Sequence, residues 1–253
     1  MRKMKSVLAG LALVIFTMGF ASVASAASFA DMVFVIDQSG SMGGEFAWLG
    51  GSISNINTAV TNAGITAKYG VAGYEQLAGS ADTRNAWVNL TSNISDVVNE
   101  VNGVSVYGGT ERGYHALDWA ANNFSWSGSD YAKVVMLITD EPNDYRADYS
   151  YGGLTGEAAL AKMIDDNDIL LNVVTFQSYY QYWDDAVYSS GGYQGLFDLD
   201  YLRNNPSEFT TAFTTAKLQE IQEYEPNGVP EPASMSLLGA GLIGLFGLRK
   251  KRS

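Results

Sequence analysis

Short apolar runs in the middle of the chain predict the strands of a buried sheet. The clearest runs span residues 32–36, 134–138 and 169–176, and all three are rich in β-branched side chains. Runs of this length that end in polar residues are typical of strands covered on both faces. Two weaker strands are predicted at residues 69–74 and 86–90.

Apolar residues at steps of three and four predict helices between these strands. The longest such face is formed by Phe46, Leu49, Ile53, Ile56 and Val60. Further helices are predicted at residues 95–101, 117–124, 157–166 and 209–216, the last with Ser207 as its N-cap. Strands and helices that alternate in this way predict a doubly wound α/β fold, in which helices flank a mainly parallel central sheet.

Residues 1–26 have the three parts of a secretory signal peptide. A start containing Arg2, Lys3 and Lys5 precedes an apolar run and the sequence Ala-Ser-Ala, a pattern that signal peptidase accepts. We therefore predict export with cleavage after Ala26. The alternative is a retained N-terminal anchor.

The other end of the chain combines a proline-rich linker, an apolar segment and a basic tail. Residues 225–232 contain a Pro-Glu-Pro box, residues 233–248 carry no charge, and residues 249–253 are mostly basic. Sixteen helical residues extend about 24 Å, slightly less than the roughly 30 Å hydrocarbon core of a bilayer. Because basic clusters stay in the cytoplasm, we predict a short transmembrane helix at 233–248 and a cytoplasmic tail at 249–253.

This tail resembles the PEP-CTERM sorting signal of Gram-negative bacteria. The resemblance rests on Pro230, Glu231 and Pro232, the short apolar segment, and the basic residues Arg249, Lys250, Lys251 and Arg252. It implies a transient anchor in the inner membrane, recognition and removal of the tail by an exosortase, and release to the cell surface or extracellular matrix. A plain C-terminal anchor is the alternative.

Charge and composition narrow the class of partner. Residues 27–228 hold 8 positive and 26 negative side chains, a net charge of −18. This acidic body repels phosphate, which excludes a nucleic-acid binder, and it favours cations. The chain has no cysteine and one histidine, which excludes disulfides, thiolate metal sites and histidine-rich metal sites.

Oxygen-bearing side chains follow the predicted strands. Asp37, Ser39 and Ser41 come directly after the first strand, Asp140 follows a central strand, and Thr110 follows two glycines. Ligands of doubly wound folds bind beyond the carboxyl ends of the strands. Two carboxylates and three hydroxyls suit Mg²⁺, Mn²⁺ or Ca²⁺ and would leave one octahedral position for a partner carboxylate.

The three segments resemble the metal-ion-dependent adhesion site (MIDAS) of von Willebrand factor type A domains, over residues 27–224. The matching patterns are Asp-x-Ser-x-Ser, Gly-Gly-Thr and Thr-Asp, in that order. The resemblance implies that Ser39, Ser41 and Thr110 offer hydroxyls to the metal. Asp37 and Asp140 would bind it directly or through water, with Mg²⁺ as the expected metal and Mn²⁺ or Ca²⁺ as alternatives.

Binding is a better prediction than catalysis. Position 39 is serine where a nucleophile elbow at Ser41 needs glycine, and the chain has no phosphate-binding Walker motif. We expect an adhesion protein that engages an acidic group on a protein or polysaccharide partner. The alternatives are a structural matrix protein with a purely stabilising metal and a metal-dependent hydrolase. The oxygen-bearing segments could also be no more than turns and helix caps.

Three further features have a structural and a functional interpretation. Glu141, Asp144 and Asp148 predict a solvated acidic loop, with a second cation site as the alternative. His115 is interpreted as a packed or exposed helix residue rather than a ligand. The aromatic-rich segment 179–201 is expected to pack, with carbohydrate contact as the alternative.

Overall fold

The structure is a computed structural model that describes residues 29–75, 87–189 and 195–224. The predicted signal peptide, the linker 225–232, the apolar segment 233–248 and the basic tail lie outside the described residues and stay predictions. Among the helices of the described ranges, none is long and apolar enough to cross a membrane.

Within the described residues, eight strands form one large sheet and one small hairpin. They are β1 (Phe29–Asp37), β2 (Thr66–Tyr74), β3 (Trp87–Thr91), β4 (Tyr131–Ile138), β5 (Ser150–Tyr151), β6 (Leu154–Thr155), β7 (Ile169–Thr175) and β8 (Leu196–Asp198). The large sheet has the order β3-β2-β1-β4-β7-β8, and β5 pairs with β6. All pairs of the large sheet are parallel except that between β2 and β3.

Seven α-helices in the described part of the chain cover the sheet. They are α1 (Gly43–Asn62), α2 (Ile94–Gly103), α3 (Gly113–Asn123), α4 (Gly156–Asp166), α5 (Asp184–Ser189), α6 (Leu199–Asn204) and α7 (Pro206–Glu223). Short 3₁₀ turns lie at Arg146–Asp148 and Gln177–Tyr182. The structure therefore confirms an α/β fold with a mostly parallel central sheet flanked by helices.

Alternation along the central strand explains why helices lie on both faces. Met32 and Phe34 of β1 belong to the core shared with α1, α2 and α7. Val33 and Val35 belong to the core shared with α3, α4 and α5. Successive side chains of a strand point to opposite faces, so a continuous apolar run forms a strand buried on both sides.

The predicted N-cap of the last helix is wrong. Helix α7 begins at Pro206, with Asn205 before it, so Ser207 lies inside the first turn. Proline suits this first helical position because it has no backbone N–H, which would lack a helical partner there. Helices α5 and α6 were not predicted, because six residues are too few to show a periodicity.

Candidate metal centre

The two predicted carboxylates follow neighbouring strands. β1 and β4 pair in parallel, with Ile36 opposite Ile138, so both strands end at the same edge of the sheet. Asp37 is the last residue of β1, and Asp140 comes two residues after the end of β4. The centre of the sheet thus brings together side chains that are about a hundred residues apart in sequence.

Hydrogen bonds link four of the five predicted ligands. The Ser39 backbone N–H donates to Asp37 Oδ1 over 2.8 Å, and the Ser39 and Ser41 hydroxyls lie 3.2 Å apart. The Ser41 hydroxyl donates to Asp140 Oδ1 over 3.1 Å. The arrangement turns the oxygen atoms of the two strand ends toward one another.

Asp37 lies in an environment that disfavours an isolated negative charge. Its side chain is fully buried, and burial together with the charge of Asp140 raises its pKa to about 7. The Ser39 N–H and the Thr139 hydroxyl, which donates to Asp37 Oδ2 over 3.0 Å, only partly offset this effect. A cation beside Asp37 would remove the electrostatic cost.

Thr110 lies in the loop between α2 and α3, which is fastened to the end of β1. The Tyr107 N–H donates to the Gln38 carbonyl over 2.8 Å, and Gln38 Nε2 donates to the Ser105 carbonyl over 3.1 Å. Gly73 leaves room for this glutamine, since a Cβ there would collide with Gln38 Oε1. Thr110 is half-buried, and within the described ranges no hydrogen bond joins it to the other four predicted ligands.

Glu111 is a buried acid of this region that sequence reasoning missed. Burial and the charges of Asp37, Asp144 and Glu141 raise its pKa to about 7. Its backbone pairs with Asp144, whose N–H donates to the Glu111 carbonyl over 2.6 Å. The signal available in the sequence was its position directly after Thr110. Repulsion between these carboxyl groups thus adds to the effect of burial on the pKa values of Asp37 and Glu111.

Arg203 is the second residue that sequence reasoning missed. Its Nη2 donates to Asp140 Oδ2 over 3.0 Å, and its Nε donates to Glu45 Oε1 over 2.7 Å. Glu45 is buried, and its other carboxylate oxygen has no hydrogen-bond partner in the described part of the chain. Arg203 comes from the short helix α6, far from the motif in sequence, so no local pattern could have indicated it.

The chemistry of the donor set fits a hard divalent cation. Asp37 and Asp140 supply two carboxylates, and Ser39 and Ser41 supply hydroxyl oxygens beside them. No group of three or more Asp, Glu or His side chains in the described ranges is arranged to hold a metal. The candidate centre differs from such a group because it combines only two carboxylates with neutral hydroxyl oxygens.

We expect Arg203→Gln to raise the affinity of the chain for Mg²⁺ by up to about fivefold. The guanidinium occupies an oxygen of Asp140 and adds a positive charge next to the candidate centre, and a partly exposed ion pair is worth about 0.2–1 kcal/mol. Isothermal titration calorimetry with Mg²⁺ measures the change. Arg146→Gln removes an arginine paired with Glu157 elsewhere and is the matched control. A lower affinity in Arg203→Gln than in this control would contradict the interpretation.

The alternative interpretations of the neighbouring acidic loop and of His115 gain no support. Glu141 and Asp148 are exposed, and Asp144 is engaged by the Glu111 backbone. His115 is half-buried on α3 with its ring 5.2 Å from that of Tyr149, and burial lowers its pKa. It is a packed helix residue, as predicted.

Packing explains much of the aromatic segment. Trp183 is buried against Tyr114, and the Tyr114 hydroxyl donates to the Tyr182 carbonyl over 2.5 Å. Among the aromatic side chains of the segment that the structure describes, Tyr201 is the exposed one. Residues 190–194 lie outside the described ranges.

Two family models match the chain. The von Willebrand factor type A domain matches residues 31–189, and the PEP-CTERM protein-sorting motif matches residues 228–252. No curated protein matches the chain.

Several solved structures are similar in fold at low sequence identity. The pilus adhesin SpaC from Lactobacillus rhamnosus GG, in its open conformation, is 15% identical with a TM-score of 0.51, covering 77% of this chain and 30% of the adhesin. A second crystal form of the same adhesin is 15% identical with a TM-score of 0.55, covering 78% and 31%. Proximal thread matrix protein 1 from the mussel byssus is 16% identical with a TM-score of 0.50, covering 74% and 46%. The chain therefore spans less than half the length of these proteins.

Proposed function

The chain belongs to the von Willebrand factor type A domain family, and we propose that it is an exported adhesion protein that binds an acidic partner through one divalent cation. The observation that carries this proposal is the convergence of Asp37 and Asp140, through Ser39 and Ser41, at one edge of the sheet. The proposed function is binding rather than catalysis.

The proposed metal ligands are Asp37, Ser39, Ser41, Thr110 and Asp140. A bound Mg²⁺, or Mn²⁺ or Ca²⁺ in its place, supplies an electrophilic charge that attracts a carboxylate of the partner. The charges of two carboxylates and a divalent cation add to zero, so the site carries no net negative charge that would repel a further anionic oxygen. The cation can therefore still attract the oxygen of a partner.

The residues around the ligands orient them. The Thr139 hydroxyl and the Ser39 N–H hold the two oxygens of Asp37, so this carboxylate cannot rotate freely. The bond between Ser41 and Asp140 links the two strand ends. Groups fixed before binding lose little conformational entropy when the cation or the partner arrives.

The sorting motif supports a location outside the cell. The match at residues 228–252 supports processing by an exosortase after a transient stay in the inner membrane. We propose that signal peptidase removes residues 1–26, and that the domain at 27–224 reaches the cell surface or extracellular matrix of a Gram-negative bacterium. The partner is then a carboxylate-bearing protein or polysaccharide of that surface.

Attachment to the extracellular matrix of the producing cells tests this function. We expect the purified protein to bind the matrix in Mg²⁺, to lose most of this binding when a chelator is added, and to regain it when Mg²⁺ is restored. Asp140→Asn should behave like the chelated wild type because it removes one of the two ligand charges. Asp165→Asn, which removes an exposed charge on α4, is the matched control.

The alternatives give different results in the same experiment. A structural matrix protein with a purely stabilising metal predicts that Asp140→Asn lowers the melting temperature but leaves attachment intact. A metal-dependent hydrolase predicts divalent-dependent turnover of a phosphoester or glycan in the matrix. Either outcome would contradict the adhesion proposal.

A further inference from the structure

Three polar side chains meet inside the apolar core beneath helix α7. Lys217 Nζ contacts both Asn172 Oδ1 and Glu220 Oε2. Lys217 and Glu220 lie one turn apart on α7, and Asn172 lies in the middle of β7. The exposed fractions are 1% for Lys217, 0% for Asn172 and 5% for Glu220. None of the three is a proposed metal ligand.

Burying such a cluster costs folding free energy. Burying a charged lysine and a carboxylate carries a large desolvation penalty, and apolar residues of similar volume are often equally stable in their place. In addition, one carboxylate oxygen of Glu220 is buried and has no hydrogen-bond partner among the described residues. Simple stabilisation therefore explains the cluster poorly.

The surroundings of Lys217 make the charged form of its amine less favourable than it is in water. Burial lowers the pKa of Lys217, although the nearby Glu220 opposes the shift. The ring of Phe197 lies 5.7 Å from Lys217 Nζ, and Phe213 of the same helix packs against that ring. Desolvation among apolar groups favours the neutral form of a lysine, and the neutral amine is the form that attacks a carbonyl carbon.

The carboxamide of Asn172 is fixed beside this amine. Its Nδ2 donates to the Val135 carbonyl over 3.3 Å and to the Leu170 carbonyl over 3.1 Å, while its oxygen faces Lys217. Holding an amine and an amide in contact replaces a bimolecular encounter with an effectively unimolecular one, at effective molarities of about 10⁵–10⁸ M for well-oriented groups.

We propose that Lys217 and Asn172 become joined by an intramolecular isopeptide bond, with Glu220 as the catalytic acid and base. Glu220 first accepts a proton from the Lys217 ammonium. The neutral Nζ then attacks Asn172 Cγ, forming one C–N bond, and the bond between Cγ and Nδ2 breaks. Glu220 transfers this proton to the leaving nitrogen and then accepts the second proton, which Nζ loses as the amide forms, so the products are an amide, ammonia and a protonated Glu220, with no oxidant or other reactant consumed.

The bond would tie helix α7 covalently to the central sheet. It closes a loop between two residues that are 45 positions apart, and this loop contains β8 and α6 with Arg203. A cross-link of this kind stabilises a fold chiefly by restricting the unfolded chain. The chain has no cysteine and so cannot form a disulfide. The isopeptide bond would give this exported domain a covalent cross-link that reducing agents cannot break.

Peptide mapping of the full-length chain, produced with its signal and sorting segments, tests the bond directly. Trypsin should fail to cleave after Lys217, and tandem mass spectrometry should find peptide 163–203 joined to the peptide that contains Lys217. The mass of the joined peptides should be lower than their sum by one ammonia molecule. The mapping is independent of where the ends of the protein are processed.

Substitutions show whether the chemistry depends on the proposed groups. Glu220→Gln keeps the size of the side chain but removes the proton carrier, and Lys217→Arg removes the nucleophile, so both should give separate peptides of the encoded masses. Lys162→Arg alters an exposed lysine and should keep the joined peptide. Ammonia loss confined to one linear peptide, or efficient cleavage after Lys217 in the wild type, would overturn the proposal.

Discussion

Asp37→Ala is expected to lower the affinity of the chain for Mg²⁺ by more than about 100-fold, because loss of a supporting residue alone typically costs 10–100-fold. Asp37 contributes one of only two carboxylates in the candidate centre, and its buried position excludes water as an easy substitute. Isothermal titration calorimetry with Mg²⁺, Mn²⁺ and Ca²⁺ measures the loss.

Two further variants separate this effect from unfolding. Asp37→Asn keeps an oxygen that can accept the Thr139 hydroxyl and removes the negative charge, so it should fold and still fail to bind the cation. Asp165→Ala removes an exposed acid on α4 and should bind as the wild type does. Equal heats of Mg²⁺ binding for Asp37→Asn and the wild type would show that Asp37 is not a metal ligand.

Trp183→Ala is expected to destabilise the fold by about 3–5 kcal/mol, the usual cost of truncating a large buried aromatic side chain. The Trp183 ring is 1% exposed and packs edge-on against Tyr114, with ring centroids 5.0 Å apart. It also lies against Gly113, where a Cβ would stand 2.7 Å from the ring. Urea denaturation measures the change in the free energy of unfolding.

A surface aromatic of the same segment provides the control. Tyr201 is 42% exposed, and Tyr201→Ala should change the free energy of unfolding by no more than about 0.5 kcal/mol. Similar losses for the two substitutions would show that the aromatic segment does not divide into packed and exposed members as the structure indicates.

The long elements could be predicted from the sequence because their patterns reflect burial directly. Strands β1, β4 and β7 consist mostly of apolar residues, and α1 repeats its apolar residues along twenty positions. The region from α5 to α7 was harder to predict from the sequence. Its first two helices span six residues each, and the start of α7 depends on Pro206 rather than on the serine that follows.

The candidate centre likewise contains residues that could be predicted from the sequence and one that could not. Asp37, Ser39, Ser41 and Asp140 could be predicted together because the ends of adjacent parallel strands meet at one edge of the sheet. Arg203 could not, since its contact with Asp140 depends on how the chain returns after β8.

The buried cluster beneath α7 shows another limit of sequence patterns. Lys217 and Glu220 look like exposed helix residues in sequence, where an i,i+3 pair of opposite charge is ordinary. Only the packing of α7 onto β7 shows that both are buried and that Asn172 completes the group.

Anomalous diffraction from crystals grown with Mn²⁺ tests the central claim most directly. We predict a single strong manganese peak at the edge of the sheet, contacted by oxygens of Asp37, Ser39, Ser41, Thr110 and Asp140 either directly or through water. A peak on the loop that contains Glu141 and Asp144, or no peak at the ends of β1 and β4 in crystals with saturating Mn²⁺, would contradict a metal-dependent adhesion site in this protein.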